Sequence, residues 1–276
     1  MTQSWPASLE LRVETRASCS LLAHSRHHGP LRVQRAFYPE GPGVCHVCVL
    51  HPPGGVVPGD QLDFDVRVGA AARALVTTPA ATKIYRSDGR RAAQRTRLSV
   101  APGATLEWLP QESIVFDGAR IDFETTVALE GDAVFIGWDV QCLGRPAIAE
   151  RFTFGQCRSS LEIVRDGVPL FIERAAYEGG SDVLQGGFGL AGHCALGTMV
   201  VVSREAAALD IVRAVVPPPS AEGLFSATRI GAGDVVCCRY LGSSASRARE
   251  QFSRIWSALR PRLLGRVATY PRIWST

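Results

Sequence analysis

Cys45-His46-Val47-Cys48, with His51 close behind, places soft ligands at a spacing that metal ions use. A structural zinc site joins such a pair to a second one at comparable spacing elsewhere, and this sequence offers none. Residues 44–50 also alternate like a strand, which sends Cys45 and Cys48 to opposite faces. Carboxylates are the second resource: Asp60, Glu107, Glu112, Asp117, Asp139, Glu150 and Glu173 stand beside glycine, aromatic or turn residues. Most such groups meet water or arginine, and a buried one needs a paired charge or a cation.

Other chemistries fail on context. Lys83, the chain's one lysine, is followed by Ile84, so the glycine-lysine-hydroxyl pattern of a phosphate loop is missing. Gly187-Phe188-Gly189-Leu190-Ala191-Gly192 fits a dinucleotide pattern, but residues 193–202 read as a strand where a helix must hold the pyrophosphate. No Gly-x-Ser-x-Gly occurs, and no histidine has a recognisable nucleophile arrangement. No catalytic residue is assigned. The sequence predicts a binding or delivery protein with no permanently bound cofactor.

The elements that must position these groups are mostly strands. Leu62, Phe64, Val66 and Val68 alternate with Asp63, Asp65 and Arg67, and Ile121, Phe123, Thr125, Val127 and Leu129 alternate with Asp122, Glu124 and Thr126. Arg165-Asp166-Gly167 joins residues 161–164 to 168–172 as a hairpin. Two helices are predicted, one over 204–215 that stops at Pro217-Pro218-Pro219. The other is capped within Ser243-Ser244-Ala245-Ser246, with Phe252, Ile255, Trp256, Leu259 and Leu263 at helical spacing. No internal repeat and no interdomain linker is visible, so one sheet-rich, mainly β domain over 1–276 is expected.

Composition narrows the partners. The net charge of +4 is ordinary for a globular protein. Five arginines lie between Arg86 and Arg97 with only Tyr85 as an aromatic neighbour, which fits a solvated strand face and not a nucleic-acid groove. The apolar stretch 195–202 falls well short of the ~18 residues of a membrane-spanning helix, so no membrane span is expected. Eight cysteines are too sparse for a disulfide scaffold, and Met1-Thr2-Gln3-Ser4-Trp5-Pro6 lacks the pattern of a secretory signal. A cytoplasmic protein with reduced thiols is expected.

Three segments read as one signature: residues 51–60 (His-Pro-Pro-Gly-Gly-Val-Val-Pro-Gly-Asp), 77–86 (Thr-Thr-Pro-Ala-Ala-Thr-Lys-Ile-Tyr-Arg) and 106–120, which opens Leu-Glu-Trp-Leu-Pro-Gln-Glu-Ser. With Gly29-Pro30-Leu31, Val33-Gln34-Arg35, Gly137-Trp138-Asp139, Gly144-Arg145, Ala149-Glu150-Arg151-Phe152, Leu161-Glu162-Ile163, Asp166-Gly167, Ile172-Glu173-Arg174 and Pro271-Arg272-Ile273-Trp274, the chain resembles the UreD (UreH) family of urease accessory proteins almost end to end. The resemblance implies a non-catalytic chaperone of urease maturation. Its fold is expected to be one sheet-rich domain of strands in stacked, helix-like layers, with a few α-helices including one near the C-terminus. It implies a complex with UreF and the GTPase UreG on apo-urease, and transient nickel carried inward through an internal tunnel.

A nickel conduit needs oxygen and imidazole ligands that bind weakly in series, since a thiolate cage would trap the ion. On the resemblance, Asp60 and Glu173 lead as relay residues, Asp139 and Glu150 follow, and His51 either joins them or anchors its turn. Pro58 stands where the family often has glycine, and Cys45-His46-Val47-Cys48 is not a family feature. A purely structural adaptor that reshapes apo-urease without carrying metal is the alternative. An independent metal enzyme would need a closed set of three ligands, which the sequence does not show.

Overall fold

A computed structural model describes residues 5–220, 223–231 and 234–275. The chain enters through β1 (Pro6–Arg16), β2 (Cys19–His28) and β3 (Arg32–Val33), then winds into a coil of parallel strands. The first turn lays down β4 (Cys45–Leu50), β5 (Gly55–Val56) and β6 (Gln61–Val68) on three walls. The second adds β7 (Arg73–Thr77), β8 (Thr82–Ile84) and β9 (Ala92–Val100), and the third β10 (Thr105–Leu109), β11 (Ser113–Val115) and β12 (Arg120–Leu129). The strand β13 (Val134–Arg145) serves two walls, pairing with β10 by its first half and β11 by its second. After β14 (Glu150–Arg151) and β15 (Gln156–Arg165), the chain turns back as β16 (Val168–Glu178). The remainder is α1 (Asp182–Gln185), β17 (Ala195–Val202), α2 (Ala208–Val215), β18 (Gly223–Ile230), β19 (Val235–Gly242) and α3 (Ala245–Leu264). The mainly β architecture with a helix near the C-terminus is as the sequence predicts, and the stacked layers are as the resemblance implies.

Two walls are large sheets. One runs β16-β15-β12-β9-β6-β1-β2, the other β18-β19-β17-β13-β10-β7-β4-β3. Because parallel strands align without offset, inward side chains stack in rows across turns. Val66, Leu98, Val127 and Ile163 make one such row, all of them buried. Outward on the same strands, Asp63 and Glu124 flank Arg95, and ion pairs join Arg95 to Glu124, Arg97 to Asp63 and Arg91 to Asp122. The arginine-rich segment is thus a charge-paired outer face.

The hairpin turn predicted at Asp166-Gly167 is present, and both residues take the positive φ that a tight turn of this hand requires (50° and 78°). The helix predicted over 204–215 begins only at Ala208. Glu205 N–H donates to Ser203 Oγ at 3.4 Å and Ala207 N–H to Glu205 Oε1 at 3.1 Å, and these local bonds hold the first residues in turns. The segment Gly187–Gly192 leads into β17 and not into a helix. Ser244 caps α3, its side chain accepting from the Arg247 amide, and Gly265 ends the helix at φ 64°. Phe252, Ile255, Trp256 and Leu259 seat α3 on the outer face of β13 and β17, forming a second core beside the one inside the coil.

Candidate functional site

The interior of the coil is not filled throughout. One inward row reads Leu62, Gln94, Phe123, Ser159 and the next Phe64, Thr96, Thr125, Leu161, with Glu173 of β16 opposite Leu161. Where polar or short side chains replace the branched apolar ones, the walls no longer meet, and a cavity of about 390 Å³ opens. Its far wall carries Trp108, Phe135, Gly137, Asp139 and Gln141. A side chain at Gly137 would strike the Phe135 ring, which borders the same cavity and would have to shift. Residues 78–83, the middle of the second signature segment, border one side.

Asp139 sits on β13 and faces the cavity, so its exposed surface is cavity wall while protein atoms surround it on every other side. Gln141 Nε2 donates to Asp139 Oδ2 at 2.6 Å. Burial raises the Asp139 carboxyl to about 6, with the nearby charge of Glu173 adding and the Gln141 bond opposing. Glu173, on the edge strand β16, is ion-paired with Arg239 of β19 across the mouth of the two sheets. Arg239 shares a sheet row with Thr198 and Asp139. Tyr177, two positions beyond Ala175 on the same face, has its phenol pushed up to about 12 by burial. His51 borders the cavity from the first turn, and its imidazole is held below its ordinary pKa by burial, against the opposing charge of Asp60.

The structure therefore brings Asp139, Glu173 and His51 to one cavity and places the other two expected ligands elsewhere. Asp60 is buried outside its lining, with Oδ1 accepting from the Trp5 amide at 2.9 Å and Oδ2 from the Val57 amide at 3.0 Å. It closes the turn at Gly59, whose φ is 88°, and fastens the start of β1. Glu150 accepts from Arg145 Nε at 3.0 Å and from the Asp117 amide at 3.1 Å, a turn network in which Arg145 also stacks on Phe116. Bonding from Arg145 holds the Glu150 carboxyl below its usual range. Glu112 pairs with Arg249 of α3, and Asp117 caps the amides of Thr153 and Phe154.

Gln141 and Arg239 contribute to the site without having been singled out from sequence. The polar inward positions of β9 and β12 gave a usable signal, since a Thr or Gln inside an apolar alternation marks a place where the core is interrupted. The thiols lie apart. Cys45 faces inward and Cys48 the other way, as strand alternation requires, and burial pushes Cys48 to about 11. Among the described residues no three His, Cys, Asp or Glu side chains converge closely enough to hold one ion together.

Comparison with known proteins completes the description. The family model described as "UreD urease accessory protein" matches residues 6–275. The chain is 47% identical over 274 residues to the urease accessory protein UreD of Azoarcus sp. (strain BH72), covering 99% of this chain and 94% of that protein. It is 45% identical over 278 residues to the protein of the same name in Dechloromonas aromatica (strain RCB), covering 99% and 95%. To urease accessory protein UreD 2 of Brucella anthropi it is 44% identical over 277 residues, covering the whole of both chains.

Proposed function

The chain belongs to the UreD family of urease accessory proteins, with a role in urease maturation, and from that premise we propose that it is a non-catalytic chaperone whose cavity passes nickel toward the urease active site. In this reading it docks on apo-urease together with UreF and UreG, in the cytoplasm. The observation that supports it is the shared cavity of Asp139, Glu173 and His51, about 390 Å³ in volume and walled otherwise mainly by apolar, hydroxyl and amide side chains, with Lys83 at its border.

Such a lining suits a cargo that must leave again. Oxygen and imidazole donors spaced one by one give an ion several weak stations, each releasing to the next. Asp139 is partly neutralised near pH 6, and Glu173 already has a cation partner in Arg239, so neither holds an incoming ion tightly. Asp60 and Glu150 support the turns around the conduit and do not line it. No helix of the described residues is long and apolar enough to cross a membrane.

The test is co-expression of the chain with UreF, UreG and apo-urease, followed by affinity pull-down and a urea hydrolysis assay. The double variant Asp139→Ala, Glu173→Ala is expected to co-purify with the others while nickel loading and urease activity fall. Full activation with binding intact would overturn the nickel path and leave the structural adaptor.

A further inference from the structure

A pair of thiols lies on the outer face of β13, away from the cavity. Cys142 is buried there among the residues that receive α3, and Cys194, just before β17, is half-buried against the same core. The antiparallel register sets Cys142 opposite Ala195, and the Leu143 amide donates to the Cys194 carbonyl at 2.8 Å. Residue 194 precedes the regular strand and so escapes the alternation that would turn it to the other face. Both side chains pack into the same outer core, which makes the two sulfurs neighbours. A further contact, Cys194 Sγ to the Ser243 carbonyl at 3.6 Å, holds the side chain near the start of α3.

We propose that Cys142 and Cys194 form a reversible dithiol–disulfide site, oxidised by small disulfides of the glutathione class. The two sulfurs have different parts. Solvent reaches Cys194, and the hydrogen bond from the Cys142 thiol, with a smaller contribution from the Arg151 charge, lowers it to about 7. The same hydrogen bond, and then burial, keep Cys142 protonated. The Cys194 thiolate attacks one sulfur of glutathione disulfide, forming a mixed disulfide and expelling a glutathione thiolate. Cys142 then gives its proton to water, and its sulfur attacks the Cys194 sulfur and expels the second glutathione thiolate. Two electrons pass from the protein thiols to the reagent, and the new S–S bond ties β13 to the entry of β17. The other cysteines of the inner strands serve as contrast, because Cys45, Cys48, Cys157, Cys237 and Cys238 are all buried.

The experiment treats the full-length protein with glutathione disulfide at neutral pH, blocks remaining thiols with iodoacetamide and maps the peptides by mass spectrometry. A linked 142–194 peptide pair, restored to two alkylated thiols by dithiothreitol, is expected. In Cys142→Ala the resolving sulfur is gone, so a stable glutathione adduct should accumulate on Cys194, and alkylation of Cys194 at pH 7 should slow about tenfold as its thiolate loses the hydrogen bond. A wild-type chain that keeps glutathione on Cys194 with Cys142 still alkylatable overturns the proposal. So does Cys194 alkylation no faster than that of Cys157. Wild-type mapping decides by itself if the variant does not fold, and neither result depends on nickel or on urease.

Discussion

Arg260 and Glu107 form an ion pair closed off from water, with side chains 0% and 2% exposed. Arg260 Nε donates to Glu107 Oε1 at 2.9 Å and Nη2 to Oε2 at 3.0 Å, while Trp256 Nε1 donates to Oε1 at 2.5 Å. The guanidinium continues to both oxygens of Glu40 at 2.9 Å, and Glu40 meets His46 Nε2 at 2.7 Å. One cation on α3 thus binds β10 and the segment before β4, joining the helix to the coil.

Arg260→Ala would leave two buried carboxylates facing each other without a cation, and is expected to lower stability by about 3–5 kcal/mol. Glu107→Gln keeps the shape and one acceptor, so a smaller loss of about 1–3 kcal/mol is expected. Burial pushes the Glu40 carboxyl upward, but bonds from His46 and Arg260 outweigh it and hold the pKa below its ordinary value. A depressed folded pKa gives stability that is present above the unfolded value and lost as pH falls through the folded one. Urea unfolding of the three chains at pH 7 and at falling acid pH checks both the order and the sign.

Asp139 has the opposite sign. Its carboxyl is raised from 3.8 to about 6, so between these values the folded chain holds more protons than the unfolded one, and stability drops as pH rises. Asp139→Asn should therefore stabilise at pH 7.5, by about 1 kcal/mol once cavity water is allowed for, and make no difference at pH 3. Melting temperatures across that range would show it. A variant that destabilises at pH 7.5 would mean that the ionised carboxylate holds the wall together.

Asp60 should behave as a structural residue. Both its oxygens accept from backbone amides, so Asp60→Ala leaves the Trp5 and Val57 N–H groups without a partner and is expected to cost about 2 kcal/mol. Urease activation should then fall only in proportion to the amount of folded protein, whereas nickel binding per folded chain stays at the wild-type level. Equilibrium dialysis of nickel against folded protein separates the two.

How much of this was legible in the sequence depended on how local the cause is. Period-two alternation fixed β6 and β12, and Asp166-Gly167 fixed a hairpin, because each rests on neighbours in the chain. The coil itself left no sequence repeat, since its rows need only fit one another: Val47, Val76, Trp108 and Gly137 occupy equivalent positions with unlike side chains. Glu107 was visible as an acid beside a tryptophan, but its partner Arg260 stands 153 residues away and could not be inferred from spacing. Asp139 and Glu173 were visible as motif residues, yet their meeting at one cavity follows from the placing of β13 and β16 in different sheets. Arg239, which completes that arrangement, carried no local mark at all.

The polar rows offer a way to close the cavity without touching a charged group. Thr125 points inward between Thr96 and Leu161, where space is already open, so Thr125→Leu adds apolar bulk to the cavity and removes a hydroxyl. Filling open space with a branched side chain should leave stability unchanged or raise it by about 1 kcal/mol, since the added methyl groups gain contacts and displace no packed neighbour. If the cavity carries the ion, the variant should bind apo-urease with its partners as the wild type does and yet lower nickel loading of urease several-fold. The carboxylate variants remove stations along the path, whereas this one removes the path, so both should fail at the same step. A Thr125→Leu chain that folds, assembles and loads nickel at the wild-type rate would show that the ion does not pass between β12 and β13.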